Sequence, residues 1–199
     1  MNVPMKSATG YSTMPIECNL LTRRIVFIEG EITQETAFET CKSLLFLAGE
    51  NHNLPVDIVI NSNGGAVDAG LLILDAMEGS GLEIRTWCLS RAFSMAALIF
   101  SAGSKRYMLQ HAELMIHQPL VSATRIEGNV SMIKAVSDSL ISTSRVINEI
   151  LSRYTGKSID EIESVTRTDT YFNAVEAISF GLSDEIADLS GLIRKDERE

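Results

Sequence analysis

Between Ile25 and Ile116 the chain alternates short β-rich runs with helix-period segments, and that alternation constrains the fold more than any other feature. Residues 25–28, Ile-Val-Phe-Ile, read as a strand closed by Glu29-Gly30. A helix is expected over about 33–48, with Phe38, Cys41 and Leu45 on one face. Residues 56–60 form the next strand, ended by Asn61-Ser62-Asn63-Gly64-Gly65. A helix over about 68–77 and a strand over 84–89 follow. Residues 94–102 read as a helix so apolar that burial on every side is implied. Two short strands, 107–109 and 114–116, precede a long helix over about 129–154. Its apolar stripe is Val130, Ile133, Val136, Leu140, Ile147, Leu151 and Tyr154, and Thr155-Gly156 stops it. Ser158 with Glu161, and Asn173 with Glu176, carry the capping-box spacing that starts a helix. Strands separated by crossover-length helices predict an α/β fold with a largely parallel sheet. No Pro/Gly/Ser-rich linker divides the 199 residues, so one domain over 1–199 is expected, with a charged tail at about 189–199.

Charge narrows the partners. Lys and Arg number 17 against 26 Asp and Glu, a net charge of −9. That balance disfavours nucleic acid and anionic membrane surfaces. The longest strongly apolar stretch, 95–100, is far short of the ~20 residues a membrane-spanning helix needs. No apolar leader occupies the first dozen residues, so a cytoplasmic protein is expected. Cys18, Cys41 and Cys88 show no CxxC or metal-ligand spacing, and buried free thiols are expected. Neither HExxH nor an EF-hand spacing occurs, so no metal and no cofactor are expected.

Four elements could carry chemistry, each with a plainer explanation beside it. His117 ends an apolar strand and is followed by Gln118-Pro119, the place where open parallel sheets set catalysts and ligands. Alone, a hydrogen-bonded histidine near the core is the better explanation. His52 and His111 fall in polar loop and turn sequence. Ser94 lies where a strand gives way to an apolar helix, whose first amides favour a developing negative charge. Its flanks, Ala92 and Ala96, are not those of a GxSxG elbow, and a helix N-cap would also account for it. Gly64-Gly65 permits close approach of backbone amides, or simply a tight turn. Asp169, in Arg167-Thr168-Asp169-Thr170, reads as a solvated aspartate between two short helices.

Taken in chain order, four blocks resemble the Clp protease proteolytic subunit (ClpP) family. They are Ile60-Asn61-Ser62-Asn63-Gly64-Gly65, Ala92-Phe93-Ser94-Met95-Ala96-Ala97, Met115-Ile116-His117-Gln118-Pro119-Leu120, and 168–174 with Glu176-Ala177 and Gly181-Leu182. The resemblance implies a spiral of β-α-β units related to the crotonases, with the long helix protruding as a handle. It implies a serine endopeptidase in which Ser94 attacks, His117 accepts its proton and Asp169 orients the imidazole. Gly65 and Met95 amides would form the oxyanion hole, with Gly64 and Leu120 at the substrate. It further implies two stacked rings of seven subunits, a mobile N-terminal segment at about 1–15, and docking to a hexameric AAA+ unfoldase.

Several residues depart from that pattern. Asn63 replaces a usual proline, Ser90-Arg91 a Gly-Gln pair, and Phe93 and Ala96 smaller residues beside the nucleophile. Val121-Ser122-Ala123-Thr124 stands where a glycine-rich stretch is typical. Asp57, Val59 and Gly79 occupy the positions of an apolar docking pocket, where a desolvated aspartate would weaken unfoldase binding. A mixed assembly with a second ClpP-type subunit is therefore an expectation, and a catalytically silent or regulatory subunit is the alternative function. A crotonase-type acyl-CoA enzyme is a third reading, against which the presence of serine, histidine and aspartate together counts.

Overall fold

A computed structural model describes residues 1–7, 10–120 and 129–192. The chain begins with an antiparallel hairpin, β1 (Asn2–Ser7) and β2 (Gly10–Pro15). Helix α1 (Ile16–Thr22) leads into the main sheet. There β3 (Ile25–Ile32), α2 (Gln34–Glu50), β4 (Val56–Gly65), α3 (Val67–Gly79) and β5 (Ile84–Phe93) alternate as the sequence predicts. After α4 (Met95–Ser101) come β6 (Lys105–Met108), β7 (Glu113–Ile116) and the long helix α5 (Val130–Thr155). Helix α6 (Ile159–Thr166), β8 (Thr170–Asn173), α7 (Ala174–Phe180), β9 (Glu185–Ile186) and a 3-10 turn, Leu189–Leu192, complete the described chain. The fold is α/β with a mostly parallel seven-stranded sheet, ordered β3-β4-β5-β6-β9, and β5 also pairs with β7. Only β7 with β8 runs antiparallel within it.

Local chemistry explains the element ends. Both expected capping boxes form, at Ser158–Glu161 and Asn173–Glu176, each satisfying orphan amides of the first turn. Gly156 closes α5 in the left-handed conformation that glycine adopts most cheaply. Every residue of α4 is buried, in agreement with its uniformly apolar sequence. Helix α4 packs with β4 and β5 beneath the future site, inside a continuous core that includes Ile28, Ile60, Leu98 and Leu114.

Four sequence expectations need correction. Strands β4 and β5 run past their expected ends to Gly65 and Phe93, so the glycine pair is strand rather than tight turn. Asp169 is followed directly by β8, a strand unseen in the sequence, rather than lying between two helices. On α2 the buried face is Ala37, Thr40, Leu44 and Leu47; Phe38 is exposed and Leu45 is 72% exposed. Of the cysteines Cys88 is buried, Cys41 is half-buried and Cys18 is exposed on α1, a helix with no buried residue. The stripe of α5 divides: Ile147 and Leu151 enter the core, whereas Val130, Ile133 and Val136 stay uncovered. Residues 121–124, and the tail beyond 192, lie outside the described residues. Among the described residues no helix is long and apolar enough to cross a membrane.

Candidate active site

Strand pairing brings the candidate residues together. Strand β5 forks: Arg85–Cys88 pairs with β6, while Arg91–Phe93 pairs with Glu113–Met115 of β7. The Ser94 amide continues this ladder by donating to the Met115 carbonyl at 2.8 Å. On the other side of β7, β8 pairs antiparallel with Ile116 opposite Thr170. His117 and Asp169 therefore stand one residue beyond the last pair, side by side, although 52 positions separate them. The Gln118 amide donates to the Thr166 carbonyl at 2.8 Å, and its side-chain Nε2 to the Arg167 carbonyl at 3.0 Å. Those bonds tie the loop after His117 to the loop before Asp169.

The resulting geometry is a continuous relay. Ser94 Oγ lies 2.8 Å from His117 Nε2, and His117 Nδ1 lies 3.0 Å from Asp169 Oδ1. A carboxylate only accepts, so Nδ1 carries the ring proton and Nε2 is left as the acceptor for the serine hydroxyl. His117 is 14% exposed and half-buried, whereas Asp169 is 57% exposed, so the imidazole is shielded from water better than the carboxylate.

Ser94 occupies the N-cap position of α4 but makes no capping bond, which removes the plainer explanation for it. Its backbone is at φ 55°, ψ −122°, one of only two described non-glycine residues with positive φ. Such a conformation costs on the order of 1–3 kcal/mol and persists because the β5–β7 ladder and buried α4 hold both flanks. The hydroxyl meets the imidazole of His117 instead of capping the helix. The amide of Met95, first residue of α4, has no intrahelical partner and stands beside Gly64.

Each glycine has a distinct steric reason. At Gly64, with φ 93°, a Cβ would lie 2.7 Å from the Phe93 carbonyl oxygen and 2.9 Å from Ser94 Cβ. At Gly65 a Cβ would run into the backbone of Ile32 on β3. The Gly64 amide is already engaged, donating to Ser62 Oγ at 3.0 Å. A cavity of about 450 Å³ opens over the relay, and Ser94, Met95, Gly65, His117 and Leu120 line it. Gly64 lies against Ser94 and is not among the lining residues. Leu98, Met115, Ile147 and Leu151 give the wall its apolar character. These wall residues come from three elements, α4, β7 and α5, which is why only Met95 and Leu120 among the apolar lining were singled out from sequence as site residues.

The positions expected to form a docking pocket behave differently. Asp57 is completely buried, accepting from Arg85 Nε at 2.8 Å, Arg85 Nη2 at 2.7 Å and Trp87 Nε1 at 2.9 Å. Burial pushes its carboxyl pKa up, against the Trp87 and Arg85 bonds that favour the charged form. Val59 is buried in a small cluster with Ile25 and Trp87, and only Gly79 is exposed. Asp57 and Val59 thus present no surface to a partner, and the desolvation of Asp57 is offset within the chain. His52 and His111 are exposed. Among the described residues no group of three or more His, Cys, Asp or Glu side chains could hold a metal ion.

Residues 9–190 match the model of the Clp protease family. That span takes in the relay, both glycines and the whole of the main sheet. Members of the family are serine peptidases that generally assemble as oligomeric rings with AAA+ partners. With 9–190 of 199 residues matched, the chain belongs to the Clp protease family.

Proposed function

We propose that this chain is a serine endopeptidase, the proteolytic subunit of an ATP-dependent Clp-type protease that cuts peptides and unfolded proteins inside a ring chamber. The observation that carries the reading is the unbroken Ser94–His117–Asp169 relay at 2.8 and 3.0 Å. Ser94 Oγ attacks the peptide carbonyl while His117 Nε2 takes its proton. Asp169 holds the tautomer and stabilises the imidazolium, and His117 then protonates the leaving amine. The amides of Gly65 and Met95 receive the oxyanion, where one lost donor typically costs about 10²–10³ in rate. No metal or cofactor takes part in this scheme. The apolar cavity wall suits an apolar side chain beside the scissile bond.

The assembly proposed is two stacked heptameric rings, homo-oligomeric or mixed with a second ClpP-type subunit. Its support is the uncovered apolar row Val130, Ile133 and Val136 on α5, a face that a second ring would bury. A cytoplasmic setting accords with three free thiols. The test is intact mass after fluorophosphonate treatment of wild type and Ser94→Ala. One adduct per subunit, absent from the variant, is expected. A wild type that takes no adduct refutes an active relay and leaves the silent, regulatory subunit in its place.

A further inference from the structure

Glu31 shares the cavity with Ser94 and His117, and it is the one Asp, Glu, Lys or Arg among the residues lining it. Its backbone carbonyl accepts from Thr36 Oγ1 at 3.1 Å, but its carboxylate has no hydrogen-bond or ion-pair partner among the described residues. The mechanism above makes no use of it. Glu31 stands immediately after a β-bulge in the β3–β4 ladder: Gly30 pairs with Ser62, Glu31 with Gly64, and Asn63 is the unpaired extra residue. Bulges of this kind re-aim side chains next to active sites, and here both Glu31 and Asn63 line the cavity. Among the described residues strand β3 is an edge of the main sheet, and no further described strand covers this flank of the cleft.

Resting on the peptidase reading, we propose that Glu31 is a specificity residue that selects substrates carrying a lysine or arginine close to the scissile bond. An unpaired carboxylate at the edge of an apolar cleft attracts a cation more strongly than one in open water, because the walls lower the effective dielectric. The net charge of −9 adds a long-range attraction of the same sign. The apolar floor receives an uncharged side chain, and Glu31 meets the basic neighbour at its rim. An acidic residue at that position is repelled.

The experiment compares short fluorogenic peptides in which lysine, or N-acetyl-lysine of the same length but no charge, is walked across the positions flanking an apolar residue. At one position wild type prefers lysine by about tenfold in kcat/KM at low salt. The ratio shrinks as sodium chloride is raised, because the pair is accessible to solvent ions. Glu31→Gln brings the ratio to about one, and Glu31→Lys turns it below one. The same peptides are run as competitors of fluorophosphonate labelling at Ser94, which reads binding without turnover. A ratio of one in wild type, or a wild-type ratio retained in Glu31→Gln, overturns the role of Glu31 while labelling still supports the relay. Failure of Ser94 to label at all overturns the peptidase reading and this inference with it.

Discussion

On the proposed peptidase reading, replacing Gly64 by alanine tests whether the Ser94–His117 contact depends on backbone packing behind Ser94. The added Cβ would sit 2.7 Å from the Phe93 carbonyl oxygen, where ordinary contact begins at 3.4 Å. The end of β4 and the β5–α4 turn must therefore part by about 0.7 Å. Ser94 Cβ, at 2.9 Å, is pushed in the same movement. A displacement of that size stretches the 2.8 Å Ser94–His117 bond toward the limit at which hydrogen bonding ends. Since ~1 Å of misplacement costs about 10²-fold, kcat should fall about 25-fold. Gly64 does not line the cavity, so KM for a short peptide should change little. The positive φ adds roughly 1–3 kcal/mol of strain, visible as a lower melting temperature. Steady-state cleavage of a fluorogenic peptide and the fluorophosphonate labelling rate give the two readouts. Gly49→Ala in α2, where a Cβ meets nothing within 4 Å, is the control and should keep wild-type rates. A Gly64→Ala protein with kcat and labelling rate within twofold of wild type would refute the contact argument.

Two further predictions concern stability. Asp57→Asn leaves the Arg85 guanidinium without its buried counter-charge and should cost about 3 kcal/mol in chemical denaturation; a loss under 1 kcal/mol would show that the pair is dispensable. Burial would raise the Asp184 pKa, but the Arg106 bonds and charge outweigh it and hold the carboxyl below its ordinary value. A depressed carboxyl pKa contributes stability that is complete above the unfolded-state value and is lost as pH falls through the folded one. Wild type should accordingly lose stability below about pH 4 more steeply than Asp184→Asn, and parallel pH profiles would contradict this.

Sequence periodicity misplaced the buried face of α2 by one residue, and the reason is physical. The helix carries apolar side chains on both sides: Ala37, Leu44 and Leu47 inward, Phe38, Leu45 and Phe46 outward. A period of 3.6 identifies a stripe but cannot say which of two stripes meets the sheet. The same ambiguity divided α5, where one continuous stripe serves the core at Ile147 and Leu151 and stands uncovered at Val130. Asp57 was misplaced for a different reason. The resemblance put it in a docking surface, yet Arg85 and Trp87, the second and fourth residues of the next strand, supply the partners that make burial tolerable.

What the sequence determined by itself was local: strands where β-branched residues cluster, caps at Ser158 and Asn173, the stop at Gly156, and a buried helix behind Ser94. Those follow from interactions among residues a few positions apart. The relay belongs to the tertiary structure. Ser94 is 23 residues from His117, which is 52 from Asp169, and nothing in either interval specifies a hydrogen bond. The fork of β5 toward β7 and the antiparallel return of β8 set those three side chains within reach. The strained backbone of Ser94 exists for the same reason, because only a ladder on one side and a packed core on the other can hold it there.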